Sequence, residues 1–180
     1  MNKILKIFVV LIAFGFSGCE KDDICDPNTP TTPRLVISFL DRTNSTPKNV
    51  TNLKVIGEKM TQGIIFNENA VVESDKYLTS ANTISIPLKT NEDITSFRFI
   101  LNANSTNLDF VNEDVIQFNY TRQNIFVSRA CGYKTIFTLN RNNPFTLTDS
   151  NNPEGFWIQN VFVEEPNIEF ENETHIKIYF

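Results

Sequence analysis

The sequence predicts an all-β protein, a single antiparallel β-sandwich, and three observations carry the prediction. Apolar residues recur at every second position in short runs between Leu35 and Phe180. Those runs are rich in β-branched and aromatic side chains, which suit a pleated, half-buried surface. Clusters of Asn, Asp, Thr and Ser separate them, and no window offers a convincing amphipathic helix. Period-two alternation gives each run one face to bury. Roughly eight or nine such runs in residues 34–180 fit an immunoglobulin-like or similar sandwich, with a β-barrel as the alternative.

The chain opens on MNKILKIFVVLIAFGFSGC, which has the parts of a secretory signal over residues 1–18. Lys3 and Lys6 supply the positive start, Ile7 to Phe16 the apolar middle, and Ser17 and Gly18 the small residues before a cut. The apolar run is ten residues long, whereas a membrane-spanning helix needs about 20. Phe16-Ser17-Gly18-Cys19 resembles the bacterial lipobox, in which the cysteine becomes the lipid-bearing first residue, although Phe16 stands where Leu is usual. The resemblance implies a thioether to diacylglycerol at Cys19 and further acylation, palmitate being the typical chain. Two or more chains anchor stably, whereas one does not. An ordinary secreted protein with Cys19 free is the alternative.

Residues 19–33 form a tether. Glu20-Lys21-Asp22-Asp23 reads either as a solvated spacer or as the acidic export tag that directs lipoproteins of Bacteroidota to the cell surface. The segment DPNTPTTP, with Pro27, Pro30 and Pro33, is stiff and extended. With Cys19 lipidated, Cys25 and Cys131 remain as an even pair, and an exported chain meets oxidising conditions that favour a disulfide. Such a bridge would pin the start of the domain to the middle of its sheet. Two free thiols or a metal site are the competing readings.

The strands follow in order. In RLVISFL, Leu35, Ile37 and Phe39 share a face; in NTISIPL, Ile84, Ile86 and Leu88 do, with Pro87 opposite, as on an edge strand. SFRFIL aligns Phe97, Phe99 and Leu101, and VIQFNY aligns Ile116, Phe118 and Tyr120. YKTIFTLN aligns Tyr133, Thr135, Phe137 and Leu139; FWIQNVFVEE aligns Phe156, Ile158 and Phe162; HIKIYF aligns Ile176, Ile178 and Phe180. LKVIGEK and GIIFN are shorter strand candidates. Sixteen Phe residues fall mostly at inward positions and read as core.

Charge narrows the function. Removing Lys3 and Lys6 from the 16 basic residues leaves 14 against 21 acids, a mature chain near −7. That balance argues against nucleic acid, whose binders carry a basic stripe, and against a peripheral membrane contact through anionic headgroups. No nucleophile elbow, phosphate-cradling glycine loop or H-E-x-x-H motif occurs, and six glycines leave little room for one.

Isolated candidates remain. His175, the only histidine, lacks an evident nucleophile beside it and reads as structural or exposed. Glu169, Glu171 and Glu173 alternate in IEFENET with Glu164 and Glu165 upstream, which would suit a solvated acidic face, a glycosidase pair or a calcium ligand set. TDSNNPEG, Thr148 to Gly155, reads as a turn rather than a calcium loop. Trp157 with Gln159 would make a sugar- or protein-binding platform if its face is exposed; a core position is the alternative. No catalytic residue, cofactor or metal ligand is assigned.

Three stretches, CEKDDICDPNTPTTPRLVISF, VSRACGYKTIFTL and ETHIKIYF, resemble a family of small Bacteroidota lipoproteins known only as domain-of-unknown-function family 6452. The resemblance implies lipidation at Cys19 and an all-β domain, and implies no activity. The expectation is a non-enzymatic lipoprotein of the outer membrane, on its cell-surface or periplasmic face. Its expected partners are the membrane, through the lipid on Cys19, and an envelope protein or a glycan. The alternative is a glycan-binding or glycan-processing surface lipoprotein.

Overall fold

A computed structural model describes residues 24–29, 31–150 and 155–180. The predicted signal segment and Cys19 lie outside them. The chain forms two compact units: Met1–Thr31 with Asn124–Lys134, and Thr32–Gln123 with Thr135–Phe180.

The larger unit is the predicted sandwich. Its first sheet joins β1 (Leu35–Leu40), β4 (Thr83–Ile86), β9 (Asn160–Val163) and β11 (Ile176–Tyr179) in the order β4-β1-β11-β9. Period two sets its register. Ile84, Ile37, Ile176 and Val163 form one row across the four strands, and Phe39, Ile178 and Val161 form the next. Leu35, Ile37, Phe39, Ile176 and Ile178 are fully buried. β4 pairs only with β1 among the described residues, as the exposed Pro87 at its end predicts.

One pairing departs from the antiparallel expectation: β1 and β11 run parallel, with Ile37 opposite Ile176 and Phe39 opposite Ile178. Parallel neighbours need a crossover connection rather than a tight turn. Here nearly the whole domain lies between the two strands, so the first and last strands meet as the central pair of the four-stranded sheet.

The second sheet contains β2 (Leu53–Gly57), β3 (Leu78–Thr79), β5 (Ile94–Leu101), β6 (Asn112–Ser128), β7 (Gly132–Leu139), β8 (Phe145–Asp149) and β10 (Asn167–Ile168). They run in the order β10-β7-β6-β5-β2-β3, with β8 also paired to β6. Gly57, Phe97, Ile116 and Leu147 form one cross-strand row, and Thr95, Phe118 and Phe145 another. Phe39, Phe99, Phe118, Phe137 and Tyr120 are essentially inaccessible, each burial being worth about 1.5–3 kcal/mol. The two sheets share this core and close no barrel.

Three strand assignments need correction. GIIFN forms no strand; Gly63 to Asn67 lie in the loop between β2 and β3, where Ile64 and Phe66 pack against the core from irregular backbone. FWIQNVFVEE begins its strand only at Asn160, and Phe156 and Phe162 are exposed. Tyr133 is exposed too, whereas Thr135, Phe137 and Leu139 are buried as expected. β8, from Phe145 to Asp149, was hidden in the sequence because its neighbours Asn142, Asn143 and Pro144 read only as a turn.

The smaller unit contains the tether from Ile24 and the far half of the β6–β7 hairpin. Its hairpin residues are 124–134, the end of β6, the turn and the start of β7.

Candidate functional site

The hairpin end is built by its turn. Arg129, Ala130 and Cys131 form the connection between β6 and β7, and the Cys131 amide donates to Ser128 Oγ at 3.0 Å. Gly132 follows at φ +70°, a left-handed conformation that L side chains resist even though a Cβ there would touch nothing. The turn presents Cys131 to the tether, and the predicted disulfide is present. Cys25 and Cys131 are bonded with Sγ–Sγ 2.00 Å and Cα–Cα 4.9 Å. Next to it, Asp26 closes a turn by accepting the Asn28 amide on its side chain and the Thr29 amide on its carbonyl. The bridge therefore grips the end of a hairpin, not the middle of the sheet.

Two aromatic rings flank that bridge in sequence. Phe126 on β6 and Tyr133 on β7 meet edge to face with centroids 5.4 Å apart, yet remain 57% and 70% exposed. Ile24, beside Cys25, is 82% exposed.

The binding-platform reading of Trp157 is corrected by its burial. The indole is 8% exposed, lies against Phe39 and Phe180, and donates from Nε1 to the Phe99 carbonyl at 3.1 Å. An aromatic ring used as a platform must face solvent; this one fills the core. Gln159 is exposed, accepts from Arg42 at 3.2 Å and donates to the Phe156 carbonyl at 2.6 Å.

His175 is completely buried and structural in its contacts. Its Nδ1 accepts the Val36 amide at 2.9 Å, which places the ring proton on Nε2 in the neutral form. Nε2 approaches the Phe170 backbone without reaching ordinary hydrogen-bond geometry. Burial holds the imidazole below its usual pKa, against the opposing pull of Glu173, Glu165 and Glu171.

The acidic run is not a strand: residues 169–173 are bends and irregular backbone. Glu171 receives Arg34 through both guanidinium and backbone amide, at 2.7–3.1 Å. That bond holds its carboxyl below the ordinary range. Glu164 pairs with Lys177 at 2.8 Å, and Glu165 accepts from Asn167. Asp149 in TDSNNPEG receives the Ser150 and Gly155 amides; residues 151–154 lie outside the described residues. Among the described residues no three His, Cys, Asp or Glu side chains group as metal ligands.

Asp114 is a buried carboxylate that sequence reasoning missed. It sits at 0% exposure between Phe99 and Asp149 in its cross-strand row, and its Oδ2 accepts the Ile158 amide at 2.8 Å. The signal was there: Asp114 shares the period-two phase of Ile116 and Phe118, so a carboxylate at an inward position requires an internal donor.

A cleft of about 630 Å³ in the sandwich is lined by Thr138, Asn140, Arg141, Pro144, Pro166 and Asn167. It contains neither Trp157 nor a carboxylate among its lining residues.

A family model described as "Family of unknown function (DUF6452)" matches residues 52–180. The stretches VSRACGYKTIFTL and ETHIKIYF fall inside that span, and CEKDDICDPNTPTTPRLVISF precedes it. No curated protein and no solved structure matches the chain.

Proposed function

The chain belongs to this family of unknown function, DUF6452, and from that premise we propose that it is a non-enzymatic lipoprotein. In this reading it is anchored through Cys19 to the bacterial outer membrane, on its surface or periplasmic face, and serves as an interaction or accessory module of the envelope. The observation that carries the reading is the Cys25–Cys131 bridge. A disulfide belongs to an oxidising compartment. It also occupies two of the three cysteines and leaves Cys19, directly after the lipobox-like Phe16-Ser17-Gly18, as the remaining thiol.

A non-enzymatic role is supported by what the suspected chemical groups do. His175 caps a strand amide, Glu171 holds Arg34, and Trp157 fills the core. Each is engaged in holding the fold. Membrane fractionation tests the anchor: the wild type should pellet with membranes and the Cys19→Ser variant should be soluble. A Cys19→Ser protein that stays in the membrane fraction overturns the reading. Protease shaving of intact cells separates the surface from the periplasmic face.

A second reading, a glycan-binding lipoprotein, draws on the cleft beside Arg141. Its Asn and Thr side chains offer donors and acceptors to hydroxyls, and Pro144 and Pro166 offer apolar walls. A glycan array that shows no binding, or binding indifferent to Arg141→Ala, removes it.

A further inference from the structure

We propose that the end of the β6–β7 hairpin is a second, non-covalent membrane contact, with Phe126 and Tyr133 seated at the boundary between headgroups and acyl chains. The proposal rests on the lipid anchor at Cys19. Its first argument is reach. Cys131 is bonded to Cys25, and Cys25 lies six residues from Cys19, a span of at most roughly 20 Å when fully extended. That is shorter than the hydrocarbon core of a bilayer, about 30 Å. The bridge thus confines the hairpin end to the membrane's immediate neighbourhood, whatever path the tether takes.

The second argument is what the hairpin end offers. Phe126 and Tyr133 pack on each other and leave most of their surface to solvent, and Ile24 beside the bridge does the same. Exposed apolar surface of this kind calls for a covering partner. A tyrosine ring, apolar with one polar tip, suits the depth of the headgroups. Asn124–Lys134 contains no acid, so no carboxylate on the hairpin end has to be desolvated with the rings. The tether carries Glu20, Asp22, Asp23 and Asp26, so the driving force is partition of the rings, not net attraction. A contact through anionic headgroups, which the acidic balance of the mature chain argues against, is not required.

The test uses the full lipidated chain, reconstituted into vesicles of phosphatidylethanolamine and phosphatidylglycerol doped with a phosphatidylcholine brominated near the start of its acyl chains. Tyr133→Trp places a reporter in the hairpin. The wild type, whose only tryptophan is the buried Trp157, is the baseline. The expected result is quenching at least about twofold stronger than baseline in vesicles that float with the protein. Phe126→Trp reports from the opposite ring, so a poorly folded single variant does not decide the outcome. Floating protein with both reporters quenched no more than wild type overturns the contact and leaves the anchor standing; a protein partner at these rings would give this result. Protein that fails to float overturns the anchor, and the contact with it.

Discussion

Val36 and His175 are hydrogen-bonded in both directions. The Val36 amide donates to His175 Nδ1 at 2.9 Å, and the His175 amide donates to the Val36 carbonyl at 3.0 Å. The imidazole acts as an added rung where β11 begins beside β1. It can do so only while neutral, because a proton on Nδ1 would abolish the acceptor and leave a charge in a fully buried position.

Stability should therefore depend on pH in a window set by this ring. Its folded pKa is lowered from 6.5, so as pH falls the unfolded chain binds the proton first. The contribution is fully present above about pH 6.5 and is lost as pH falls toward the folded value, by about 1.4 kcal/mol per unit of depression. Glu171 is lowered from 4.5, so its loss begins only at more acid pH. Urea midpoints at about pH 7.5 and 5.5 should fall in the wild type and converge in His175→Asn, whose amide oxygen replaces the Nδ1 acceptor. Equal slopes in both proteins would contradict the assignment.

Trp157 should behave as core. Trp157→Ala removes contacts to Phe39 and Phe180 and leaves the Phe99 carbonyl without its donor. The expected cost is about 3–5 kcal/mol, read by chemical denaturation. A near-neutral effect would return the ring to the surface.

Asp114→Ala should destabilise by about 1–3 kcal/mol, because the Ile158 amide it receives is buried with it. Equal stability of the variant and wild type in the same denaturant series would show that the bond is dispensable.

Opening the bridge should also be costly. Cys25→Ser with Cys131→Ser frees a loop of 106 residues, for which chain entropy gives about 4–5 kcal/mol as an upper range. Mass mapping without reductant should find the Cys25 and Cys131 peptides joined; both found alkylated would remove the bridge.

Much of the sandwich was legible because alternation and burial coincide. RLVISFL and HIKIYF alternate cleanly, and their inward residues Leu35, Ile37, Phe39, Ile176 and Ile178 are all inaccessible. The parallel pairing of those same two segments was not legible, since period two is identical for both strand directions. FWIQNVFVEE misled for a different reason: Trp157 and Ile158 are consecutive and both buried, which irregular backbone allows and a strand facing one core does not. YKTIFTLN kept its phase through Thr135, Phe137 and Leu139, but Tyr133 belongs to the smaller unit and is exposed. The Cys25–Cys131 bridge was legible from the number of cysteines and the expectation of export, while its position at a hairpin turn depended on where β6 ends.

Attachment at Cys19 is the central claim, and metabolic labelling with an alkyne fatty acid tests it most directly. The wild type should carry the label and Cys19→Ser should carry none, with Cys25 and Cys131 consumed in their bridge. An unlabelled wild type, or a Cys19→Ser protein that still labels, would contradict the account.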